Sequence, residues 1–103
     1  MKTISVGLEW GSYPFQELDN NGFVVDDISA EELGMDSEFC DKIQKLQNMY
    51  DDLFVNNEKE FSYIGNEKPE EVKKIKNIYL DLVDELLGKL NNKFNFKILD
   101  LDI

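Results

Sequence analysis

The residues of this chain best able to do chemistry are its neighbouring carboxylates: Asp26-Asp27, Asp51-Asp52, Asp81 with Asp84 and Glu85, and Asp100 with Asp102. Two carboxylates facing each other across a cleft, one with a raised pKa, would serve glycoside hydrolysis. The same acids around Mg²⁺ would serve a nuclease, provided that cationic side chains held the phosphates. Nothing in the spacing sets any of these groups across a cleft, and a strongly negative surface repels nucleic acid. The segment Glu17-Leu18-Asp19-Asn20-Asn21-Gly22-Phe23-Val24 looks like the start of a calcium-binding EF-hand loop, glycine at the sixth position included. That loop needs a bidentate glutamate at its twelfth position, and Ile28 stands there. The segment therefore reads as a hairpin turn. Cys40 is the single cysteine, and with no histidine or arginine in the chain nothing activates it as a thiolate. The expectation is a non-enzyme with no catalytic residue, no cofactor and no metal.

The elements that position these acids can be read from the periodicity. Ile4, Val6, Leu8 and Trp10 alternate with Thr3, Ser5, Gly7 and Glu9, the pattern of a half-buried strand. Gly11 to Pro14 break it, and Phe15 to Leu18 extend the sheet briefly. Asp19-Asn20-Asn21-Gly22 is a turn signal, because Asn and Gly accept positive φ at little cost. Phe23-Val24-Val25 reads as a second strand, antiparallel to the first. The spacing of Phe39, Ile43, Leu46, Tyr50 and Leu53 or Phe54 predicts a helix from about Ser37 to Val55, ended by Asn56-Asn57. A polar connection over 56–68 follows, in which residues 61–64 form a short strand or a packed loop. Pro69 opens a second long helix with Val72, Ile75, Ile78 or Tyr79, Leu82, Leu86 and Leu90 along one stripe. It ends between Gly88 and Asn92. The last strand, Lys93 to Ile103, carries Phe94, Phe96 and Ile98 on one face and then shifts phase to Leu99, Leu101 and Ile103. The expected architecture is α+β in the order β-β-α-α-β: an antiparallel sheet of three to four strands with two long helices packed on one face. At 103 residues, 42% hydrophobic, one domain spanning 1–103 is expected. The longest apolar runs are three residues, and Glu9 interrupts any secretory h-region, so a cytoplasmic protein is expected.

Charge is the dominant feature. There are 22 Asp and Glu against 11 basic residues, all lysine, for a net charge of −11. This argues against nucleic-acid binding, excludes histidine acid–base chemistry and histidine metal sites, and favours a cationic partner drawn in by long-range steering. Residues 24–41 hold seven carboxylates and no basic residue. Helix physics accounts for five of them. Ser29 and Glu32 form a capping box, Glu31 shares that first turn, and Asp36 is an N-cap. Glu38 pairs with Lys42 and Asp41 with Lys45 at i,i+4. Asp26 and Asp27 remain without a local use. On the second long helix Asp81, Asp84 and Glu85 crowd one face, with only Lys89 near enough to relieve Glu85.

In size, charge and element order the whole chain resembles the small acidic immunity proteins that neutralise toxin domains of contact-dependent growth inhibition and related polymorphic toxin systems. The resemblance implies a tight one-to-one complex with a basic toxin domain, often a nuclease, whose substrate cleft is covered. In such a complex Asp26, Asp27, Asp51, Asp52 and the Asp81-Asp84-Glu85 face would stand in for phosphates. Tyr13, Phe15 and Tyr63 would anchor the desolvated centre. The alternatives are an acidic nucleic-acid-mimic inhibitor, whose carboxylates would follow a duplex-like stripe, and a non-enzymatic structural or adaptor subunit that uses an apolar patch.

Overall fold

A computed structural model of the chain describes residues 1–9, 13–56 and 61–101. Trp10, Gly11, Asn57, Asp102 and Ile103, all named above, lie outside the described residues. The fold is mixed α+β. In chain order it contains β1 (Thr3–Val6), β2 (Phe15–Leu18), β3 (Val24–Asp27), the one-turn helix α1 (Ala30–Leu33), α2 (Ser37–Asp51), β4 (Phe54–Asn56), β5 (Phe61–Tyr63), α3 (Pro69–Leu90) and β6 (Asn95–Ile98). The strands form a four-stranded sheet in the order β3-β2-β1-β6 and a separate two-stranded β4-β5 hairpin. Among the described residues no helix is long and apolar enough to cross a membrane.

The fold differs from the expected one in three ways, each with a physical reason. First, β3 pairs with β2 rather than with the first strand, in an antiparallel register of Gln16 with Asp27 and Glu17 with Asp26. The turn forces this: Asp19 Oδ1 accepts from the amides of Asn21 at 2.8 Å and Phe23 at 3.0 Å, and Gly22 takes φ +85°. A carboxylate used in this way closes a tight hairpin, so β2 and β3 must be neighbours. Second, β6 runs parallel to β1, with Ile4 beside Phe96 and Val6 beside Ile98. The long α3 carries the chain back to the end of the sheet where β1 begins, and Asn95 N donates to Lys2 O at 2.9 Å there. Third, α2 stops at Asp51, short of Val55, and the chain turns into the β4-β5 hairpin. Phe54 lies between Tyr50, 5.4 Å away by ring centroid, and Tyr63, 5.3 Å away. That aromatic packing holds Phe54 against β5 instead of on the helical stripe.

Alternation along β1 sends Ile4 and Val6 to the core, where Phe15 joins them from β2. Phe39, Ile43 and Leu46 of α2 and Ile75, Tyr79, Leu82 and Leu86 of α3 complete it. Phe94, Phe96 and Ile98 pack on its margin. Of the residues expected to shift phase after β6, Leu99 lies over Gly7, where a Cβ would come within 3.1 Å of its Cδ1, whereas Leu101 packs on the core as Ile98 does. Asp36 caps α2 by accepting from Phe39 N at 2.9 Å, and Ser29 caps α1 by accepting from Glu32 N at 3.0 Å. The Phe39 amide holds the Asp36 carboxyl below the usual range, partly opposed by burial and aided by Lys89 and Lys42. Its contribution to stability is present above the ordinary carboxylate value and is lost as pH falls through the lower folded value.

Tyr79 ties the layers together. It is 4% exposed, and its hydroxyl shares its one proton between Leu99 O at 2.7 Å and Val6 O at 3.0 Å, joining α3 to the ends of β1 and β6. Burial first and Asp100 second push its phenol up to about 12. Tyr79→Phe should destabilise the fold by about 1–3 kcal/mol in urea titrations at neutral pH, because buried carbonyls lose their donor. The folded pKa lies above the ordinary value of 10, so the stability tied to this proton is complete below pH 10 and lost as pH rises through about 12. The gap between wild type and Tyr79→Phe should therefore narrow across that interval.

Candidate functional site

The most coherent surface site is built by the β2-β3 hairpin and α1. The turn at Asp19–Gly22 delivers β3 to the edge of the sheet, and the chain leaves it through Ile28 and Ser29 into α1. Two depressions meet on this surface. One, of about 310 Å³, is lined by Tyr13, Asp26, Asp27, Ile28, Ser29 and Glu32. The other, of about 180 Å³, has apolar walls that include Pro14, Phe15, Ile28, Ala30 and Ile43, with Glu31 among its lining residues. Tyr13 lines both and is 63% exposed.

The carboxylates in this region are not equivalent. Glu17 faces Asp26 across the β2-β3 ladder, a pairing of like charges that costs stability. Lys2 relieves Glu17, with Nζ 3.1 Å from its Oε1. Asp27 accepts from Gln16 Nε2 at 3.1 Å, a neutral donor. Among the described residues no cation comes within ion-pair distance of Asp26, Asp27 or Glu32. Asp26 and Asp27, the two acids with no local use in the sequence, thus both border one depression beside an exposed aromatic ring, with their side chains leaving opposite faces of the strand.

The other expected site residues lie elsewhere. Phe15, expected as an interface anchor, is a core residue: it is 1% exposed and stacks on Phe39 with ring centroids 6.4 Å apart. A first strand residue facing Val6 across the ladder points inward, whatever its neighbour Tyr13 does. Tyr63 is half-buried in the β4-β5 hairpin, and its ring lies over Gly65. A Cβ at Gly65 would overlap the outer end of that ring, so Gly65→Ala should push the Tyr63 side chain aside, a change that NMR shifts of the Tyr63 and Phe54 rings would report. Asp51 accepts from Gln47 Nε2 at 2.9 Å, and that nitrogen also donates to Glu9 O at 3.1 Å. Asp52 is exposed at the α2 C-cap.

On α3, Asp81 and Asp84 are exposed and Glu85 is half-buried. Asp81 and Glu85 form one wall of a groove of about 480 Å³, whose other wall carries Lys42 and Lys45 of α2. Leu46, Met49, Ile78 and Leu82 complete it. The tertiary structure thus sets lysines across from acids that crowd one another along their own helix. Lys89, the expected relief for Glu85, pairs with Asp36 at 3.5 Å and joins α3 to the start of α2. Glu38 and Lys42 form their expected pair at 3.5 Å.

Glu32 was legible in the sequence only as part of a cap; the structure adds its place in the acidic depression. The exposure of Phe23, Val24 and Val25 was also missed. Its signal was the turn at 19–22, which makes the strand after it a hairpin partner rather than a central strand. Cys40 is half-buried, and its thiol is pushed up by burial first and by Glu31, Asp36 and Asp41 after it. That environment disfavours the thiolate, the reactive form. Among the described residues no three carboxylate or cysteine side chains converge to hold a metal ion. No protein-family model matches the chain, and no curated protein matches its sequence.

Proposed function

We propose that this protein is a non-enzymatic immunity protein: a toxin inhibitor that binds a basic toxin domain, a nuclease, one-to-one and covers its substrate cleft. The observation that carries the reading is the depression around Tyr13, in which Asp26, Asp27 and Glu32 have no cationic partner among the described residues. Carboxylates left unpaired at a surface are solvated at little cost, and lysines or arginines of a partner can take the place of that water. The net charge of −11 steers such a partner from a distance. Tyr13 supplies an exposed ring at the centre, where an aromatic side chain buries a large area with little loss of entropy.

The exposed apolar run Phe23-Val24-Val25 favours a second reading, an adaptor subunit that docks through an apolar patch. Salt separates the two. The tagged protein should capture its partner from the source cells at low salt, with identification by mass spectrometry. A basic, nuclease-like domain released only by strong salt or denaturant supports the inhibitor. An acidic or neutral partner, or none above background, favours the adaptor and leaves the charge as an aid to solubility.

A further inference from the structure

β3 is an edge strand, and all four of its residues are exposed. Phe23 is 70% exposed, Val24 54% and Val25 58%, three consecutive large apolar residues at the open side of the sheet. Edge strands usually carry lysine, proline or an inward-facing charge that discourages pairing with another chain. β3 has neither lysine nor proline; its protection is limited to a register shift that leaves Val25 unpaired with β2 and to Asp26, which follows Glu17 on the face of the core residue Ile4.

The backbone direction follows from the ladder. Ile28 N donates to Phe15 O at 3.0 Å, so its amide points toward β2. Alternation turns the N–H and C=O of Asp27 toward the open edge. The side chains diverge: Asp27 shares a face with Gln16 and Asp26 shares the opposite face with Glu17. An added strand would meet a carboxylate on each face of the sheet, followed by apolar side chains.

A second copy of the chain fits this edge poorly. A two-fold antiparallel pairing centred on Val25 sets Asp27 against Phe23 and Asp26 against Val24, with no cation for either acid. A register centred closer to the acids brings like charges opposite one another, and each copy carries −11.

We propose that β3 is a strand-addition site for an extended, cationic segment of the partner, in which adjacent Lys or Arg residues lie beside Asp26 and Asp27 and an apolar run covers Phe23 to Val25. The main-chain bonds supply affinity and the two acids select the sequence. This inference rests on the reading of the protein as a binder of a basic partner.

The test uses the isotope-labelled full chain and a short capped peptide in which a pair of lysines precedes a run of valines. The control is the same peptide methylated at alternate backbone nitrogens, which keeps every charge and side chain but cannot complete a ladder. Amide exchange and NMR shifts are read along β3. With the parent peptide, exchange at Asp27 should slow severalfold, and the control should lack that effect. Equal effects of both peptides would overturn strand addition while leaving the acidic docking surface standing. No effect of either would overturn it and count against that surface as well.

Discussion

Phe15→Ala should cost about 3–5 kcal/mol, the largest stability loss expected of any single substitution discussed for this protein. The side chain is 1% exposed, faces Val6 across the β1-β2 ladder and stacks on Phe39 of α2. Truncation removes apolar contact from two strands and a helix together, and the close-packed surroundings collapse only partly into the space left. A small domain has a total stability of about 5–15 kcal/mol, so much of the protein could be unfolded at physiological temperature. Chemical denaturation at neutral pH measures the effect directly. Tyr13→Ala is the informative comparison. Its ring is 63% exposed, and its removal should change stability by no more than about 0.5 kcal/mol while weakening capture of the partner. If Phe15→Ala instead left the unfolding midpoint near that of wild type, the inward placement of β2 would be wrong.

Reversal of the edge charges should have the largest effect on binding. The double substitution Asp26→Lys with Asp27→Lys should slow association with a basic partner by about tenfold or more at low salt. Both residues are exposed, and the described residues pair neither with a cation. The change should therefore leave the fold intact. It should even ease the contact of Asp26 with Glu17 across the ladder. The difference from wild type should shrink as salt is raised, because ions screen charges separated by more than about 8–10 Å at moderate ionic strength. Stopped-flow association with the captured partner, measured across a salt series, reads both features. An unchanged rate at low salt would remove this surface from the encounter. The same reversal at Asp81 and Glu85 is expected to matter less, since Lys42 and Lys45 already stand across the groove.

Much of the fold could be read from local pattern. The stripe of Phe39, Ile43, Leu46 and Tyr50 and that of Ile75, Tyr79, Leu82, Leu86 and Leu90 are buried in α2 and α3 as their helical spacing requires. Asp36 and Ser29 cap the helices they precede, Pro69 opens α3, and Ile4 and Val6 face inward by simple alternation. Each of these depends on neighbours within a turn of helix or along one strand, so the amino-acid order alone determines them.

The candidate site was legible in part for the same reason. Asp26 and Asp27 could be singled out as acids that no helix cap uses, but only the folded chain brings them to one depression with Tyr13 and Glu32. Phe15 and Tyr13 sit two positions apart and look alike as interface aromatics, yet one is core and the other surface. Strand direction, sheet order and the edge position of β3 were likewise decided by tertiary structure. They depend on where α3 returns the chain and on which strands the tight turn at 19–22 makes neighbours. Charge compensation belongs with them. The i,i+4 pair of Glu38 and Lys42 is local, whereas Lys89 reaches Asp36 across 53 positions of sequence. Sequence by itself determined the amphipathic elements and the excess of negative charge. Which acids are paired and which stay open to a partner was settled only when distant segments packed, because Coulomb attraction depends on separation in space and not along the chain.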